Sequence, residues 1–557
     1  MSRNTYATIL YGLEDVSATE DGVFSSDNKQ SFTNFNQLID ESSSLTRIQT
    51  CEPNIVVLDG TSSVLDTEAG QEYGYYSKSI SDIDGNFETN PKLIRTFSIY
   101  HSTPSIIFYF GYEGRPKQLK IKYYRDNVVV SQGTFEVTSD VFTARKSAKE
   151  YNKFEIEFIG TQVPNRYIKL AEIFYGEYII WDRTNIISAN TINDFDLLSN
   201  ELPIGELEFS IYDENDKFNI LNPQGMYEAL QQKQKILVTE TINGVENSYG
   251  TYYLDTWEST HNKVAKFVAK DAIALLDDVT FKESEMYNNT PISNVIADIM
   301  EVANFGNYQI VGTLANEKLS GYIPVCSCRE ALQYVLLSTN SNAFCNFDGM
   351  IVIQKLPLTS ENIEIKKSQK WDTKITQSDA VNSVIVEGYT FQVSAETSDL
   401  YTETLQVGTY EVQLSDPATD ITISENATIN TAKINYVSFT VNTAGEVKIQ
   451  GKNYIKNSNV VTKQSANIQK LKQVELKGNY LITSANASSI AEHIYNYYQK
   501  RLIFDFNFIN NMEKISDNVT IELDLQQQKN GIITKMETDL SGGFVSQVTV
   551  NEVWLWI

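Results

Sequence analysis

The segment Ile179–Phe281 alternates apolar and polar residues with a period of two, which is the pattern of strands that bury one face. Leu207, Phe209 and Ile211 fall on one face of such a strand. In Tyr252–Thr256, the odd-numbered residues fall on one face and the even-numbered residues on the other. This part of the chain is therefore predicted to be built from antiparallel strands.

The length of the chain, 557 residues, is too great for a single core, and we expect three or four domains. Hydrophobic residues make up 41% of the sequence, with 32 Tyr and 26 Phe. This composition is typical of folded, β-rich protein and argues against global disorder.

The charge is strongly acidic: 45 Lys and Arg stand against 71 Asp and Glu, for a net charge of −26. Phosphate binding needs clustered basic side chains. The main basic cluster, Lys117–Lys122 with Arg125, alternates with apolar residues and is interpreted as the outer face of a strand. We predict no direct, sequence-specific binding of nucleic acid.

The N-terminus lacks the features of a secretory signal, and no apolar stretch is long enough to predict a membrane span. Four cysteines do not make a disulfide framework. We expect synthesis in a reducing cytoplasm, so that a function outside the cell would require transport as part of an assembly.

The domain prediction follows changes in the pattern. The predicted fold is mainly β and multidomain, with a jelly-roll-like sandwich, two barrels joined by a short helical connector, and an inserted β module. The predicted helices are Thr290–Asn304, Cys328–Thr339 and Ala487–Leu502. The predicted domains are a β-rich extension (1–96), the sandwich (97–181), the first barrel (182–281), the connector (282–345), the second barrel (346–400 with 466–557) and the inserted β-sandwich module (401–465).

The cysteines and histidines are weak candidates for chemistry. Cys326, Cys328 and Cys345 have no histidine nearby and do not match zinc spacing, so buried cysteines beside a helix are favoured. The three histidines, His101, His261 and His493, are scattered and do not suggest a triad. A pair of glycosidase carboxylates is not excluded by inspection. We predict no enzymatic activity, no catalytic residues and no cofactor.

Two segments before the sandwich allow alternative interpretations. Asp82, Asp84 and Asn86 space their oxygen ligands as a weak calcium site would, and the same sequence suits a hairpin turn. Four nearby aromatic residues form either a stacking platform for sugar rings or a cover for the core. These residues are Tyr73, Tyr75, Tyr76 and Phe87.

Several segments carry a family resemblance. Leu202–Phe209, Phe218–Pro223, Tyr253–Trp257 and Ser320–Gln333 together resemble the hub proteins of bacteriophage tail tips and baseplates, which also occur in tail-like particles. The resemblance implies two barrels similar to the tail-tube fold and a homotrimer that matches a six-fold tube. The segment Arg166–Ile173 separately resembles the closing strands of discoidin-type jelly rolls, a fold that many lectin modules use.

The expected function follows from the resemblance. It implies a structural hub in the virion, at the distal tail tip or baseplate, that closes the tail tube. The implied partners are distal tail or tail-tube proteins, the tape-measure protein, and a spike or receptor-binding protein, with host wall glycan as a further candidate. The alternative is a carbohydrate-binding or carbohydrate-active protein that acts on bacterial wall glycans. The jelly-roll-like region is an addition to the family pattern. The sequence to Ile557 shows no peptidase, lysozyme or fibre extension, which argues against wall cutting.

Overall fold

The computed structural model describes residues 4–39, 47–55, 62–64, 73–222, 225–260, 263–355, 362–465 and 472–553. These residues are mainly β and form several sheets, with five short α-helices. The mainly β, multidomain prediction is confirmed.

Strands make up most of the secondary structure. The strands of the N-terminal third are β1 (Thr5–Glu14), β2 (Val23–Ser25), β3 (Arg47–Gln49), β4 (Ser62–Val64), β5 (Tyr75–Tyr76), β6 (Lys92–Thr103), β7 (Ile106–Phe110), β8 (Gln118–Arg125), β9 (Val128–Glu136), β10 (Val141–Ala144), β11 (Ala148–Ile159), β12 (Lys169–Phe174) and β13 (Gly176–Trp181). The strands of the middle third are β14 (Ile186–Asp194), β15 (Glu206–Tyr212), β16 (Lys235–Ile242), β17 (Val245–Thr260), β18 (Val264–Lys270), β19 (Thr280–Phe281), β20 (Tyr287–Pro291), β21 (Tyr308–Ile310), β22 (Lys318–Gly321), β23 (Cys326–Ser327), β24 (Ser341–Cys345) and β25 (Ile351–Lys355).

The remaining strands are β26 (Asn362–Ile365), β27 (Lys370–Gln377), β28 (Ser383–Val393), β29 (Ser398–Leu405), β30 (Gly408–Gln413), β31 (Ala418–Ile423), β32 (Ala427–Lys433), β33 (Tyr436–Val441), β34 (Gly445–Gln464), β35 (Gln473–Leu476), β36 (Leu502–Ile509), β37 (Asn518–Glu522), β38 (Gln528–Asp539) and β39 (Val545–Glu552). The α-helices are α1 (Val16–Glu20), α2 (Ala272–Asp277), α3 (Ile292–Val302), α4 (Cys328–Thr339) and α5 (Ala487–Gln499). Short 3-10 helices lie at Asn36–Ile39, Tyr227–Ala229, Gly312–Asn316, Lys367–Gln369 and Asp524–Gln526.

The first barrel is a curled sheet with the strand order β13-β1-β16-β17-β18-β15-β14. Side chains from all these strands meet in one core. The ring of Trp181 on β13 lies 5.5 Å from the ring of Phe209 on β15, although the two strands are near opposite ends of the order. Leu207, Phe209 and Ile211 are all buried, as the alternation predicts.

The N-terminal strand belongs to this barrel, which differs from the predicted extension over residues 1–96. β1 pairs with β16 and also with β13, up to the opposed residues Glu14 and Gly176. The Thr5 hydroxyl donates to Glu240, a residue 235 positions away. Pairing over such a distance leaves no local signal in the sequence. Residues 15–175, called the sandwich below, are thus inserted into a hairpin of the first barrel.

The sandwich contains two main sheets, β2-β6-β11-β8-β9 and β10-β7-β12-β5. Between them lies a core rich in aromatic rings, including Phe108, Tyr123 and Phe154. Strands from Val23 onward belong to it, so the sandwich begins well before the predicted boundary at residue 97.

The connector is helical, as predicted. Helices α2, α3 and α4 pack in one core with side chains of β24 and β25. Helix α4 begins with a capping box, in which Ser327 and Glu330 each bond the other's backbone N–H. The three predicted helices are confirmed by α3, α4 and α5, although the predicted ends of the first and third lie a few residues further out.

The second barrel shares a sheet with the first. β14 pairs with β15 and, at Asn190–Asp194, with β38, from which the sheet continues through β39 and β36 to β27. β37 and β26 extend from β38, and side chains from these strands form one core. The range 346–400 that was predicted for the second barrel differs from the observed one. β25 belongs to the connector core, and β28 pairs with β34 and β35 in another sheet.

The inserted module is also placed within a hairpin. β28 pairs with the C-terminal half of β34, and the module, built from β29–β33 and the N-terminal half of β34, lies between them in sequence. Its own core includes Val437, Phe439 and Val447. Both accessory units therefore leave and re-enter the body of the protein through neighbouring strands.

The first barrel has a seam between β13 and β14, which form no ladder with each other among the described residues. The turn between β38 and β39 packs on the β14 side of it. Leu540 and Phe544 from this turn are buried in the first barrel's core, and the Phe544 ring lies 5.1 Å from the ring of Tyr249. The two barrels are thus interlocked.

None of the helices within the described ranges combines the length and apolar character required to cross a bilayer.

Candidate functional site

Among the described residues, the shared sheet has three edge strands, namely β13 and β27 at the ends of its main path and β26 on the branch through β37. Across the described ranges, β13 pairs only with β1, and β27 pairs only with β36. β27 is exposed on both faces, with Trp371 at 39% and Ile375 at 51%, and on β13 Ile180 is 64% exposed. Exposed edges of this kind are templates for pairing with another chain.

The backbone of β27 has donors that point away from its partner strand. The Ser378 N–H donates to the Arg501 carbonyl over 2.8 Å. In an antiparallel ladder the inward N–H groups alternate, so the N–H groups of Ile375 and Gln377 face away from β36. β27 can therefore accept a further strand along this edge.

The two edges also differ in charge. β27 carries Lys370, Lys374 and Asp372, for a net positive charge, whereas β13 carries Glu177, which lies 3.5 Å from Arg145 Nε. Lysines on an edge strand discourage two identical edges from pairing. The difference therefore favours contact of one edge with the other over contact of either edge with itself.

The aromatic segment predicted as a sugar platform lies in the core. Tyr73, Tyr75 and Tyr76 are no more than 6% exposed, and Phe87 is half-buried against the sandwich core. The Tyr75 ring stacks on Phe158 at 5.7 Å. β5 joins a sheet through β12, so these rings turn inward and do not form an exposed platform. The alternative interpretation, that they cover the core, describes their position.

The segment Asp82–Asn86 forms a turn that already holds a cation of the protein. Asp82 Oδ1 accepts from the N–H of Asp84 (2.9 Å) and of Asn86 (2.8 Å). The Lys117 ammonium donates to the Asp84 carbonyl (2.6 Å) and to Asn86 Oδ1 (3.4 Å). The oxygens that suggested calcium thus serve the turn and Lys117. The described part of the chain contains no cluster of three or more His, Cys, Asp or Glu side chains suited to a metal ion.

The cysteines beside the connector helix are buried or half-buried. Burial raises the pKa of Cys326 to about 12 and that of Cys328 to about 11. Burial also raises the pKa of Cys345 well above its usual value, and the nearby Asp271 adds to this. Such thiols remain protonated at neutral pH and act as small packing groups.

The histidines lie apart. His261 is outside the described residues, and His493 lies on α5, where burial and the charge of Lys355 lower its pKa. His101 has partners that sequence analysis missed, because they lie about 80 positions away. Its Nδ1 is 3.2 Å from both Ser17 Oγ and Asp15 Oδ2, and its Nε2 is 3.1 Å from Asp21 Oδ2.

The His101 cluster is similar in composition to a catalytic triad but differs in its hydrogen bonds. The Ser17 hydroxyl donates to Asp15 Oδ1 over 2.6 Å. A triad needs the hydroxyl to donate to the imidazole, so this arrangement does not match one. Burial opposes the charged form of His101, and its hydrogen bonds with Asp15 and Asp21 outweigh burial and raise its pKa.

No protein-family model and no curated protein matches the chain. Several solved structures are similar to it. The 43 kDa tail protein of prophage MuSo2 from Shewanella oneidensis has 10% identity and a TM-score of 0.40, with 67% of this chain and 95% of that chain covered. The tail protein from Neisseria meningitidis MC58 has 10% identity and a TM-score of 0.40, with 68% and 94% covered.

These structural neighbours are phage tail proteins. Another similar structure, the family 32 CBM from C. perfringens NanJ in complex with galactose, has 12% identity and a TM-score of 0.20, with 31% of this chain and 99% of that chain covered. The tail-protein neighbours agree with the predicted resemblance.

Proposed function

We propose that this chain is a non-enzymatic structural hub of a phage tail tip or baseplate, or of a tail-like particle, in which three copies close a ring around the tail axis. The observation that carries the proposal is the sheet whose main path passes through both barrels and ends in the exposed edges β13 and β27. The unpaired backbone groups of β27 in one copy bond those of β13 in the next copy.

The geometry of such pairing favours a closed ring. Contact between two different patches is head-to-tail, and it generates a ring whenever the rotation between copies closes. Each copy supplies two barrels, so that three copies present six barrels to a six-fold tube. The partners in this arrangement are tail-tube or distal tail proteins above the ring and the tape-measure protein at its lumen. A spike or receptor-binding protein is a further partner.

The sandwich belongs at the periphery of this ring. It leaves the first barrel beyond Glu14 and returns at Gly176 on β13, so it is not needed to complete the barrel core. Its tyrosines at 73, 75 and 76 are buried, which favours docking to a neighbouring tail protein over contact with wall glycan.

Two edge variants test the ring. Ile180→Lys places a charge on β13 and Ile375→Lys places one on β27, both at exposed positions. We expect each variant alone to lose the trimer in native mass spectrometry. Val460→Lys is the matched control, because Val460 is 59% exposed but lies on β34, outside the shared sheet.

Mixing the two variants gives the sharpest result. Each still carries one unaltered edge, so the mixture should form heterodimers through the single intact interface and no closed ring. Monomers only in the unaltered protein, in particles as well as in isolation, would contradict the proposal. A trimer that survives both edge variants would place the ring contact elsewhere and refute the β13–β27 assignment.

A further inference from the structure

Two buried basic side chains of β6 hold the turn at Asp15–Asp21, where the chain passes from the first barrel into the sandwich. The first of these, Arg95, is fully buried. Its Nη1 donates to the Tyr175 hydroxyl (2.5 Å), and its Nη2 donates to the carbonyl oxygens of Thr19 (3.0 Å) and Asp21 (2.5 Å). Arg95, which is permanently charged, thus fixes the end of α1 to β6.

The second is His101, which contacts both ends of the same turn. Asp15, at the start of α1, is 3.2 Å from Nδ1, and Asp21, just after α1, is 3.1 Å from Nε2. The His101 ring also packs against Phe97, with the centroids 4.7 Å apart. His101 is only 3% exposed, so water does not replace these contacts freely.

Both carboxylates have structural tasks in the turn. Asp15 Oδ1 accepts from the Ala18 N–H over 3.1 Å and so caps α1. Asp21 Oδ2 accepts from the N–H groups of Ser98 (2.8 Å) and Ile99 (3.1 Å) on β6. Movement of either carboxylate would therefore loosen the contact between α1 and β6.

The other ionisable groups around the cluster come from several elements. Glu14 at the end of β1 accepts from the Thr19 hydroxyl over 2.7 Å. Tyr151 on β11 has its ring 6.3 Å from that of His101, and Arg95 lies on the same strand as His101. The charged groups named here are three carboxylates (Glu14, Asp15 and Asp21) and one permanent cation (Arg95), and a protonated His101 brings their sum closer to balance.

We propose that His101 is a proton-operated latch that clamps the Asp15–Asp21 turn to β6 at the point where the chain passes from the first barrel into the sandwich. The protonated ring donates from both nitrogens, one to each carboxylate. A neutral imidazole has a single N–H, so the other nitrogen presents a lone pair to a carboxylate oxygen. Loss of the proton therefore removes one of the two bonds from the ring and weakens that end of the turn, while Arg95 and the backbone N–H groups of β6 keep the turn attached.

The direction of the pH dependence follows from the geometry and the charge. Because the folded pKa of His101 is raised, the latch is complete below the ordinary histidine value and is lost as the pH rises through the raised pKa. The same contacts, against the effect of burial, lower the pKa values of Asp15 and Asp21, so both remain charged throughout this range.

Hydrogen exchange of the full-length chain tests the latch. After correction for intrinsic rates, peptides covering residues 15–22 should lose about tenfold in protection as the pH rises past the His101 titration, since a hydrogen bond to a charged group is removed. Peptides from α5 serve as an internal reference. His101→Gln should abolish the step, and His493→Gln, the matched control, should retain it.

The His101 titration, followed by NMR in the unaltered chain, should have the same midpoint as the exchange step. This measurement does not depend on whether His101→Gln folds. Protection of residues 15–22 that is independent of pH, or a step whose midpoint differs from that of His101, would overturn the proposal. A step that persists in a folded His101→Gln chain would overturn it as well.

Discussion

The Leu540 backbone N–H donates to the Ala189 carbonyl over 2.8 Å, and this hydrogen bond joins the turn between β38 and β39 to the edge of β14. The side chain of Leu540 enters the first barrel's core beside that of Phe544. The barrel formed by the first half of the chain is therefore completed by residues near its C-terminal end.

Leu540→Ala should destabilise the first barrel by about 2–5 kcal/mol, because it removes buried methyl groups and leaves a cavity at the seam. Leu221→Ala is the same substitution at a position that is 73% exposed, and its effect should stay within about 0.5 kcal/mol. Hydrogen exchange of β1 and β14 peptides across a urea series measures both. Equal effects would show that the seam does not depend on Leu540.

Replacement of residues 15–175 by the two-residue turn Asn-Gly should leave a chain that still trimerises. Glu14 and Gly176 are opposed in the ladder, so a short turn can close the hairpin between β1 and β13. Native mass spectrometry should show the trimer, while binding of the neighbouring tail protein to the ring should be lost. Retained binding would show that docking does not use the sandwich.

The buried ion pair of Lys169 and Glu52 should resist single substitution. The two charged atoms are 2.6 Å apart, and the side chains are 4% and 0% exposed. Burial lowers the pKa of Lys169, and the charge of Glu52 opposes this effect. Glu52→Leu or Lys169→Met should each cost about 3–5 kcal/mol, because each leaves a buried group without its partner.

The double variant Glu52→Leu with Lys169→Met should recover much of that loss. Lys452→Met, which breaks the exposed pair of Lys452 with Asp420, should cost less than about 1 kcal/mol. Chemical denaturation of all four variants forms the comparison. Additive losses in the double variant would show that the two side chains do not act as a pair.

Asp271 should make the protein less stable as the pH rises from about 4 to about 7. Burial raises its pKa to about 7, even though the N–H groups of Gly205 and Ile273 donate to its carboxylate. A folded pKa above the ordinary value near 4 means that stability is complete below about pH 4 and is lost up to about pH 7.

Asp271→Asn should flatten this part of the pH profile, as judged from urea midpoints between pH 4 and 8. Asp517, whose pKa burial raises to about 6, contributes in the same direction, so the flattening should be partial. Asp348→Asn, in an exposed turn, is the control and should leave the slope unchanged. An unchanged slope in Asp271→Asn would remove Asp271 as its source.

The parts of the fold that sequence predicts well are those with a local signal. The inward face of Leu207, Phe209 and Ile211 follows from alternation, and α4 spans the predicted Cys328–Thr339. β1 has the same alternation, but nothing in its sequence indicates pairing with β13 and β16. Strand partners are chosen by long-range packing, which one sequence does not reveal.

The candidate site shows the same limit. Sequence analysis predicted two barrels, but it did not identify β13 and β27 as edge strands of one shared sheet. The composition of the aromatic segment around Tyr75 suits either a sugar-stacking platform or a cover for the core. The pairing of β5 with β12 decides which way its rings face. The His101 cluster was missed because its carboxylates belong to a turn distant in sequence.

The opposition of Glu14 and Gly176 has a consequence for the order of folding. A folded sandwich holds its two ends side by side, so β1 meets β13 as if the two were joined by a short loop. If the sandwich were unfolded, closing a loop the length of residues 15–175 would cost about 4 kcal/mol more in chain entropy than closing a two-residue loop. The sandwich should therefore form first and the barrel second. A mutation that unfolds the sandwich would then slow assembly of the barrel, whereas clean removal of the sandwich would not.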